Sequence, residues 1–232
     1  ALYSLLSDEY QIAVVEKAGY GYSDIVEVDR DVASMVNEVR DALNGANIEG
    51  PYVLLPHSMS GLEAIYWAQN YPDEVSGIIG IDMAVPDSYD DRDFVLGKTK
   101  LMMTLGKMSV DLGFLRIPGV YPLNETPLTD EEAKQQRLLM YRNAVNSVYI
   151  TEGQWVYENA QVVKSGGAIA CPVLMFCSDG TEIGDFWIST QEEFAEESHV
   201  EIIYFDCGHY IHYYKSEEMA VSIKSFLDGI AG

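Results

Sequence analysis

The sequence predicts an α/β fold in which a mostly parallel sheet carries helices on both faces. Short apolar runs alternate with amphipathic segments, which is the pattern of a buried parallel sheet. Between about residues 86 and 170 the apolar runs stop and only helical periodicity remains. With 232 residues and a hydrophobic content of 48%, the chain is large enough for one such domain with an insertion.

The first strands and helices are predicted N-terminal to the insertion. YQIAVVE (10–16) predicts a buried strand, and residues 30–47 predict a helix with one apolar face. PYVLLP (51–56) predicts a second strand, followed by a helix that Pro72 ends. VSGIIGID (75–82) predicts a third strand. Two consecutive strand-helix-strand units follow from this order.

The insertion is predicted to be a mostly helical cap that lies over the sheet. The spacing of Thr129 and Glu132 is typical of a capping box at the start of one of its helices. A stripe of apolar residues at near-helical spacing is expected to pack on the sheet domain or, through its adaptable methionines, to line an apolar pocket. These residues are Leu101, Met102, Leu105, Met108 and Leu112.

The sheet is predicted to resume after the insertion. PVLMFCS (172–178) and VEIIYFD (200–206) predict two strands, with a helix at about 185–197 between them and a last helix at 217–228. The predicted domains are therefore a first part of the core at 1–85, the cap at 86–170 and a second part of the core at 171–232.

Composition narrows the range of functions. The net charge of -23, from 37 acidic and 14 basic residues, repels phosphate backbones, so no nucleic-acid partner is expected. Cys171, Cys177 and Cys207 form neither a disulfide framework nor a CxxC pair. No apolar stretch reaches membrane-spanning length. These features favour the cytoplasm, while a signal or membrane anchor upstream of Ala1 stays open.

Ser58 lies between an apolar strand and a helix in YVLLPHSMSGLEAIYWAQNYP. A nucleophile on a sharp strand-to-helix turn has this context, and so does a serine that caps a helix. The residues two before and two after such a nucleophile are usually glycine, but here they are Pro56 and Ser60. His209 follows the last predicted strand, at the edge of the sheet where Ser58 would also project.

Three motifs, in the right order, resemble the α/β-hydrolase fold superfamily. VVEKAGYGYSD is similar to its strand and Gly-x-Gly-x-Ser loop, and PHSMSG is similar to its Gly-His-Ser-Met-Gly-Gly elbow. CGHYIHYYKSEEMAVSIKSFL resembles its Gly-His-x-x-His loop and last helix. The resemblance covers nearly all of the chain. It implies a serine hydrolase, similar to esterases and proline iminopeptidases, that cleaves an ester or amide bond of a small molecule without metal or organic cofactor.

The resemblance also implies roles for individual residues. Ser58 is expected to be the nucleophile and His209 the general base. The backbone N–H of Met59 is expected to be one donor of the oxyanion hole. His57 is expected to pack beside the nucleophile, and His212 to be structural.

The carboxylate of the implied Ser-His-Asp triad is less directly indicated. The usual Gly-x-x-Asp pattern after the strand at 172–178 fails here, because Ser178 and Thr181 occupy its two defining positions. Asp82, at the end of the strand that follows the nucleophile helix, is therefore the first choice. Asp179 is the alternative, and Glu182 is also near enough to substitute.

No segment of this sequence matches the loop that supplies the second N–H donor of the oxyanion hole. The resemblance places it on a Gly-rich loop after an earlier strand, and no such loop precedes Ser58. We therefore expect that the chain lacks the first strands of the full fold and is a fragment of a longer polypeptide, with the missing N-terminal segment as its partner. The alternative function is a non-catalytic or weakly catalytic ligand-binding protein on the same fold.

Overall fold

The computed structural model describes residues 2–114, 128–198 and 200–230. Within these ranges five strands form one parallel sheet: β1 Tyr52–Leu54, β2 His57–Ser58, β3 Val75–Met83, β4 Val173–Cys177 and β5 Glu201–Tyr204. The order across the sheet is β1-β3-β4-β5, and β2 pairs with β3 beyond the point where β1 ends. The parallel sheet that the sequence predicts is confirmed.

Helices pack on both faces of this sheet, as predicted. The α-helices of the described ranges are α1 Leu2–Leu6, α2 Val32–Gly45, α3 Ser60–Asn70, α4 Arg92–Asp111, α5 Asp130–Asn143, α6 Ser147–Ser165, α7 Phe186–Ser198, α8 Ile211–Tyr214 and α9 Ser216–Ile230. Successive residues of a strand face opposite sides of the sheet. Accordingly, Ile78 and Met175 pack with α2, α3 and α7, whereas Ile79 and Phe176 pack with α1, α8 and α9.

Local signals in the sequence explain where two helices begin. The Asp31 carboxylate accepts a hydrogen bond from the Ser34 N–H and caps α2. At the start of α5, Thr129 Oγ1 accepts from the Glu132 N–H, and the Glu132 carboxylate accepts from the Thr129 N–H. The predicted capping box is therefore confirmed.

The strand predicted at residues 10–16 is wrong. In the described structure this segment forms no ladder with another strand, and Val14 is 75% exposed. Ile12 and Val15 still pack against the core, which accounts for their apolar character. A strand requires a neighbour that supplies ladder hydrogen bonds, and an apolar run carries no information about that neighbour.

Four residues of the apolar stripe on α4 are exposed, so the expectation that they pack on the sheet domain is wrong, and the pocket-lining alternative stays a prediction. The exposed fractions are 60% for Leu101, 54% for Leu105, 52% for Met108 and 65% for Leu112. The side chain of Met102 lies outside the described part. The packed side of α4 carries Val95, which is buried, and Gly106, where an added Cβ would lie 2.9 Å from Val145 Cγ2.

The stretch between β3 and β4 contains α4, α5 and α6, and no strand in its described residues. Residues 115–127 of this stretch lie outside the described ranges. The cap and its bounds at 86–170 therefore stay a prediction. None of the helices within the described ranges has both the length and the apolar character needed to cross a membrane.

A buried cluster of charged side chains joins α2, α3 and α6 to the loop before α2. Lys17 Nζ lies 2.6 Å from a carboxylate oxygen of Glu63 in α3 and 3.0 Å from one of Glu152 in α6. Arg30, which is 1% exposed, forms an ion pair with Glu38 in α2 and lies near Glu152. Each buried charge thus has a partner of opposite sign, which is the condition for burying it.

Helix α3 crosses the end of β3 in close contact at Gly61. A Cβ at this position would lie 2.1 Å from the backbone oxygen of Ala84 and 3.0 Å from Met83 Cβ. Because the nearest atom belongs to the backbone, it cannot rotate away. Gly61→Ala should therefore lower the free energy of unfolding by about 3 kcal/mol, at the upper end of typical overpacking costs.

Gly97→Ala in α4 is the matched control for this prediction. Among the described residues a Cβ at Gly97 meets no atom within 4 Å, so the better helix propensity of alanine should raise stability by about 0.5–1 kcal/mol. Urea denaturation of both variants measures the difference. Equal stabilities would show that α3 moves away from β3 at little cost.

Candidate active site

Ser58 ends β2 with its backbone in the left-handed region, at a φ of 55°. Residues with a Cβ seldom adopt this conformation, which occurs on strained strand-to-helix turns that expose a nucleophile. The Ala84 N–H donates to the Ser58 carbonyl oxygen at 2.8 Å and ties the turn to the end of β3. Met59 is the N-cap residue of α3, where the first N–H groups have no partner within the helix.

The two residues that depart from the glycine pattern fit this turn. Ser60 Oγ accepts from the His57 N–H at 2.9 Å and donates to the His57 carbonyl oxygen at 2.7 Å. Pro56 joins the sheet through its carbonyl oxygen, which accepts from the Ile81 N–H at 2.8 Å. The missing N–H of proline is therefore not needed for that bond.

The His209 ring lies against the Asp82 carboxylate. His209 Nδ1 is 2.6 Å from Asp82 Oδ2, and both residues are buried. Asp82 lies near the end of β3 with a φ of 45°, and His209 lies between β5 and α8. A carboxylate only accepts hydrogen bonds, so Nδ1 carries the proton and the lone pair of Nε2 is free to take another.

The remaining oxygen of Asp82 is held by three further donors. Oδ1 accepts from the Ser178 N–H at 2.8 Å and from Trp187 Nε1 at 2.9 Å, with Gln191 Nε2 at 3.4 Å. Burial by itself would raise the pKa of Asp82, but the hydrogen bonds from His209, Ser178 and Trp187 outweigh it and hold the pKa below its ordinary value. Asp82 is therefore ionised at neutral pH.

The other two carboxyl groups considered from the sequence make different contacts. Asp179 Oδ1 accepts from the N–H and the hydroxyl of Thr181, at 2.9 and 2.6 Å, and these bonds lower the pKa of Asp179. Glu182 Oε2 accepts the backbone N–H of His209 at 2.9 Å. In the described structure, Asp82 and not Asp179 reaches the ring of His209.

Two further histidines surround His209. The ring centroid of His57 lies 4.6 Å from that of His209 and 4.9 Å from that of His212. Burial, assisted by His209, lowers the pKa of His57 to about 4. Burial and the neighbouring imidazoles likewise lower the pKa of His212 to about 4. Both rings are neutral at pH 7, and no group of metal-binding side chains occurs within the described ranges.

Ser58 and His209 lie at the same edge of the sheet. His57, the neighbour of Ser58, contacts the His209 ring, and its Nε2 lies 3.1 Å from the His209 carbonyl oxygen. Among the described residues no hydrogen bond joins the Ser58 hydroxyl to His209. Catalytic hydrogen bonds are often long without substrate and tighten only in the complex.

Trp187 and Gln191 contact Asp82 but were not predicted from the sequence. They lie four residues apart on α7, and therefore on one helical face. Gln191 is fully buried and Trp187 is 3% exposed. A polar side chain and an indole N–H on a buried face require hydrogen-bond partners. Polar groups four residues apart on a predicted helix could have indicated buried hydrogen bonds. They do not indicate that Asp82 is the acceptor.

One curated relative and two solved structures show what the chain is similar to. No model of a protein family matches the chain. It is 37% identical over 163 residues to the uncharacterized protein YbdG of Bacillus subtilis, a match that covers 68% of this chain and 50% of that protein. The chain therefore spans about half the length of this relative.

The two solved structures share the fold. An esterase from Thermogutta terrifontis with malate bound matches with a TM-score of 0.70 and 18% identity, over 99% of this chain and 84% of the esterase. The epoxide hydrolase CorEH without ligand matches with a TM-score of 0.70 and 17% identity, over 99% of this chain and 86% of that enzyme. Together with the parallel sheet, its flanking helices and the turn at Ser58, these matches show that the chain has the fold of the α/β-hydrolase superfamily.

Proposed function

We propose that the chain carries the catalytic residues of a serine hydrolase that cleaves an ester or amide bond of a small molecule through a covalent acyl-enzyme. The observation that best supports the proposal is the 2.6 Å contact between His209 Nδ1 and Asp82, at the sheet edge where Ser58 ends β2. An imidazole that a carboxylate orients beside a serine is the arrangement that activates a hydroxyl for attack.

In this proposal Ser58 Oγ attacks the substrate carbonyl carbon while His209 Nε2 takes the hydroxyl proton. The Asp82 carboxylate stabilises the resulting imidazolium. The Met59 N–H donates to the oxyanion of the tetrahedral intermediate. His209 then returns the proton to the leaving alcohol or amine. Finally, His209 removes a proton from a water molecule, which attacks the acyl group and frees Ser58.

The packing of α6 supports a cap over this site. Val156, Ala160 and Val163 of α6 form a buried cluster with Leu62 and Ile65 of α3, the helix that follows Ser58. We propose that residues 86–170 cover the sheet edge in this way and limit which substrates reach the serine. A closed apolar cover also excludes water and strengthens the electrostatic interactions inside a site.

A ligand-binding protein without turnover is the second possible function. The observation that favours it is the absence, among the described residues, of a hydrogen bond between the Ser58 hydroxyl and His209. A serine that the base does not activate remains a weak nucleophile, and the fold would then only bind a small molecule.

Labelling of the full-length native protein with a fluorophosphonate probe tests the proposal. The wild type should be labelled at Ser58, and Ser58→Ala should not be labelled. Ser165→Ala, which alters an exposed serine at the end of α6, is the matched control and should be labelled like the wild type. Labelling that persists in Ser58→Ala would contradict the role of Ser58. A folded wild type that is neither labelled nor active on short-chain esters would favour the ligand-binding function.

A further inference from the structure

The backbone of His209 is held from two sides by side chains of other segments. Glu182, in the loop between β4 and α7, accepts the His209 N–H through Oε2 at 2.9 Å. On the other side, His57 Nε2 lies 3.1 Å from the His209 carbonyl oxygen. A carbonyl oxygen only accepts, so His57 is the donor. The loop that carries His209 is thus attached both to the preceding loop and to the turn that carries Ser58.

Gly208 allows the Glu182 carboxylate to approach this closely. An added Cβ at Gly208 would lie 2.4 Å from Glu182 Oε1 and 2.5 Å from Glu182 Cδ. A side chain at position 208 and the carboxylate in its observed position therefore exclude each other. Gly208 thus leaves the space in which Glu182 accepts the hydrogen bond from the backbone of His209.

This bond has a geometric effect that the contact with Asp82 cannot supply. The hydrogen bond from Nδ1 to Asp82 fixes one atom of the ring, and the ring can still pivot about that atom. Fixing the backbone N–H as well determines where the Nε2 end of the ring lies relative to Ser58. Misplacement of a reacting group by about 1 Å can cost about 100-fold in rate.

We propose that Glu182 is a positioning residue that sets the place of the His209 imidazole through its backbone N–H. Its catalytic consequence depends on the proposed function. This role differs from that of a triad acid, because Glu182 bonds to the backbone and Asp82 bonds to the ring. A positioning role needs only an acceptor oxygen, whereas a triad acid needs a negative charge. Glu182→Gln separates the two roles.

Steady-state kinetics of the full-length native protein with a short-chain ester provide the first readout. Glu182→Ala should lower kcat by about 10- to 100-fold with KM nearly unchanged, and Glu182→Gln should keep kcat close to that of the wild type. Glu193→Ala, which removes an exposed carboxylate from the neighbouring helix α7, is the matched control. An unchanged kcat in Glu182→Ala would overturn the proposal, and so would equal losses in Glu182→Ala and Glu182→Gln.

Gly208→Ala provides an independent route to the same result, in case Glu182→Ala folds poorly. The added methyl group should displace the carboxylate without removing it, and it should lower kcat as Glu182→Ala does. Circular dichroism verifies that each variant is folded. Wild-type kcat in a folded Gly208→Ala variant would overturn the proposal.

The proton NMR signal of His209 Nδ1–H provides a readout that does not depend on turnover. A proton in a short bond to a carboxylate resonates far downfield, and its loss in Asp82→Asn would assign it. The signal should persist in Glu182→Gln and broaden or vanish in Glu182→Ala, because a mobile loop exposes the proton to solvent. A sharp wild-type signal in Glu182→Ala would overturn the positioning role. Failure of fluorophosphonate labelling in the wild type would instead overturn only the proposed hydrolase function.

Discussion

Replacing Asp82 by asparagine should lower kcat by about 10⁴-fold while KM changes little, which is the size of effect expected for a triad carboxylate. In the described structure Oδ1 of Asp82 accepts hydrogen bonds from Ser178 and Trp187, and Oδ2 accepts from His209. Asparagine has one oxygen, and the donors at the Oδ1 position will retain it there. Its NH₂ group then faces His209 Nδ1.

That orientation reverses the hydrogen bond on which the base depends. Because the amide donates, Nδ1 must accept, and the proton of the neutral imidazole moves to Nε2. An Nε2 that already carries a proton cannot take one from Ser58. Steady-state kinetics of the full-length protein measure the loss. Asp179→Asn is the comparison and should behave like the wild type, because Asp179 bonds to Thr181. Loss of turnover in Asp179→Asn alone would reverse the assignment of the acid.

Lys17→Met should lower the free energy of unfolding by about 3–5 kcal/mol at neutral pH, the cost of removing one partner from a buried ion pair. Lys17 contacts Glu63 and Glu152, and its side chain is 14% exposed, against 11% and 2% for theirs. After the substitution Arg30 remains near Glu152, and Glu63 loses the cation that contacts it directly.

The loss should shrink in acid. Burial raises the pKa of Glu63 above its ordinary value, and Lys17 opposes that rise. A carboxyl group with a raised pKa in the folded state costs stability above that pKa, and the cost disappears as the pH falls through it. Without Lys17 the pKa of Glu63 rises further, so the cost grows as the pH rises toward the new pKa and is smaller in acid.

Urea denaturation at about pH 7.5 and pH 5 measures this difference. Lys134→Met is the matched control, because Lys134 and its partner Glu131 have side chains that are 65% and 69% exposed. Exposed ion pairs contribute little to stability, so this variant should resemble the wild type at both pH values. An equal loss in Lys17→Met at both pH values would mean that lost packing, rather than an unpaired charge, causes the destabilisation.

Most of the sheet could be predicted because its strands lie in apolar runs, and the central strands β3 and β4 are buried along most of their length. The apolar runs at 51–56, 75–82, 172–178 and 200–206 each contain a strand of the structure. The run at 10–16 has the same character but forms no ladder in the described part. Local composition reports how buried a segment is, and strand formation also depends on which segment lies beside it.

The places of Ser58 and Asp82 could be predicted from their positions on the strands. Ser58 ends β2 and Asp82 lies one residue before the end of β3, and the carboxyl ends of parallel strands meet at one edge of the sheet. The contact from Glu182 to the His209 backbone and that from Trp187 to Asp82 were not predictable. Both depend on the path of the loop between β4 and α7, and hydrophobic periodicity contains no information about such a path.

Ser58 and Asp82 stand at the two ends of a single β2-α3-β3 unit, and Ser58 is paired in register with Met83, the residue after Asp82. Residues 57–83 therefore fix the distance between the Ser58 hydroxyl and the Asp82 carboxylate. This distance does not depend on the stretch between β3 and β4. If that stretch is the proposed cap, exchanging it for a shorter or longer one should alter which molecules reach Ser58. The His209 imidazole comes from a distant part of the sequence, after β5. The position of this ring relative to Ser58 therefore limits which insertions and deletions the fold can accept.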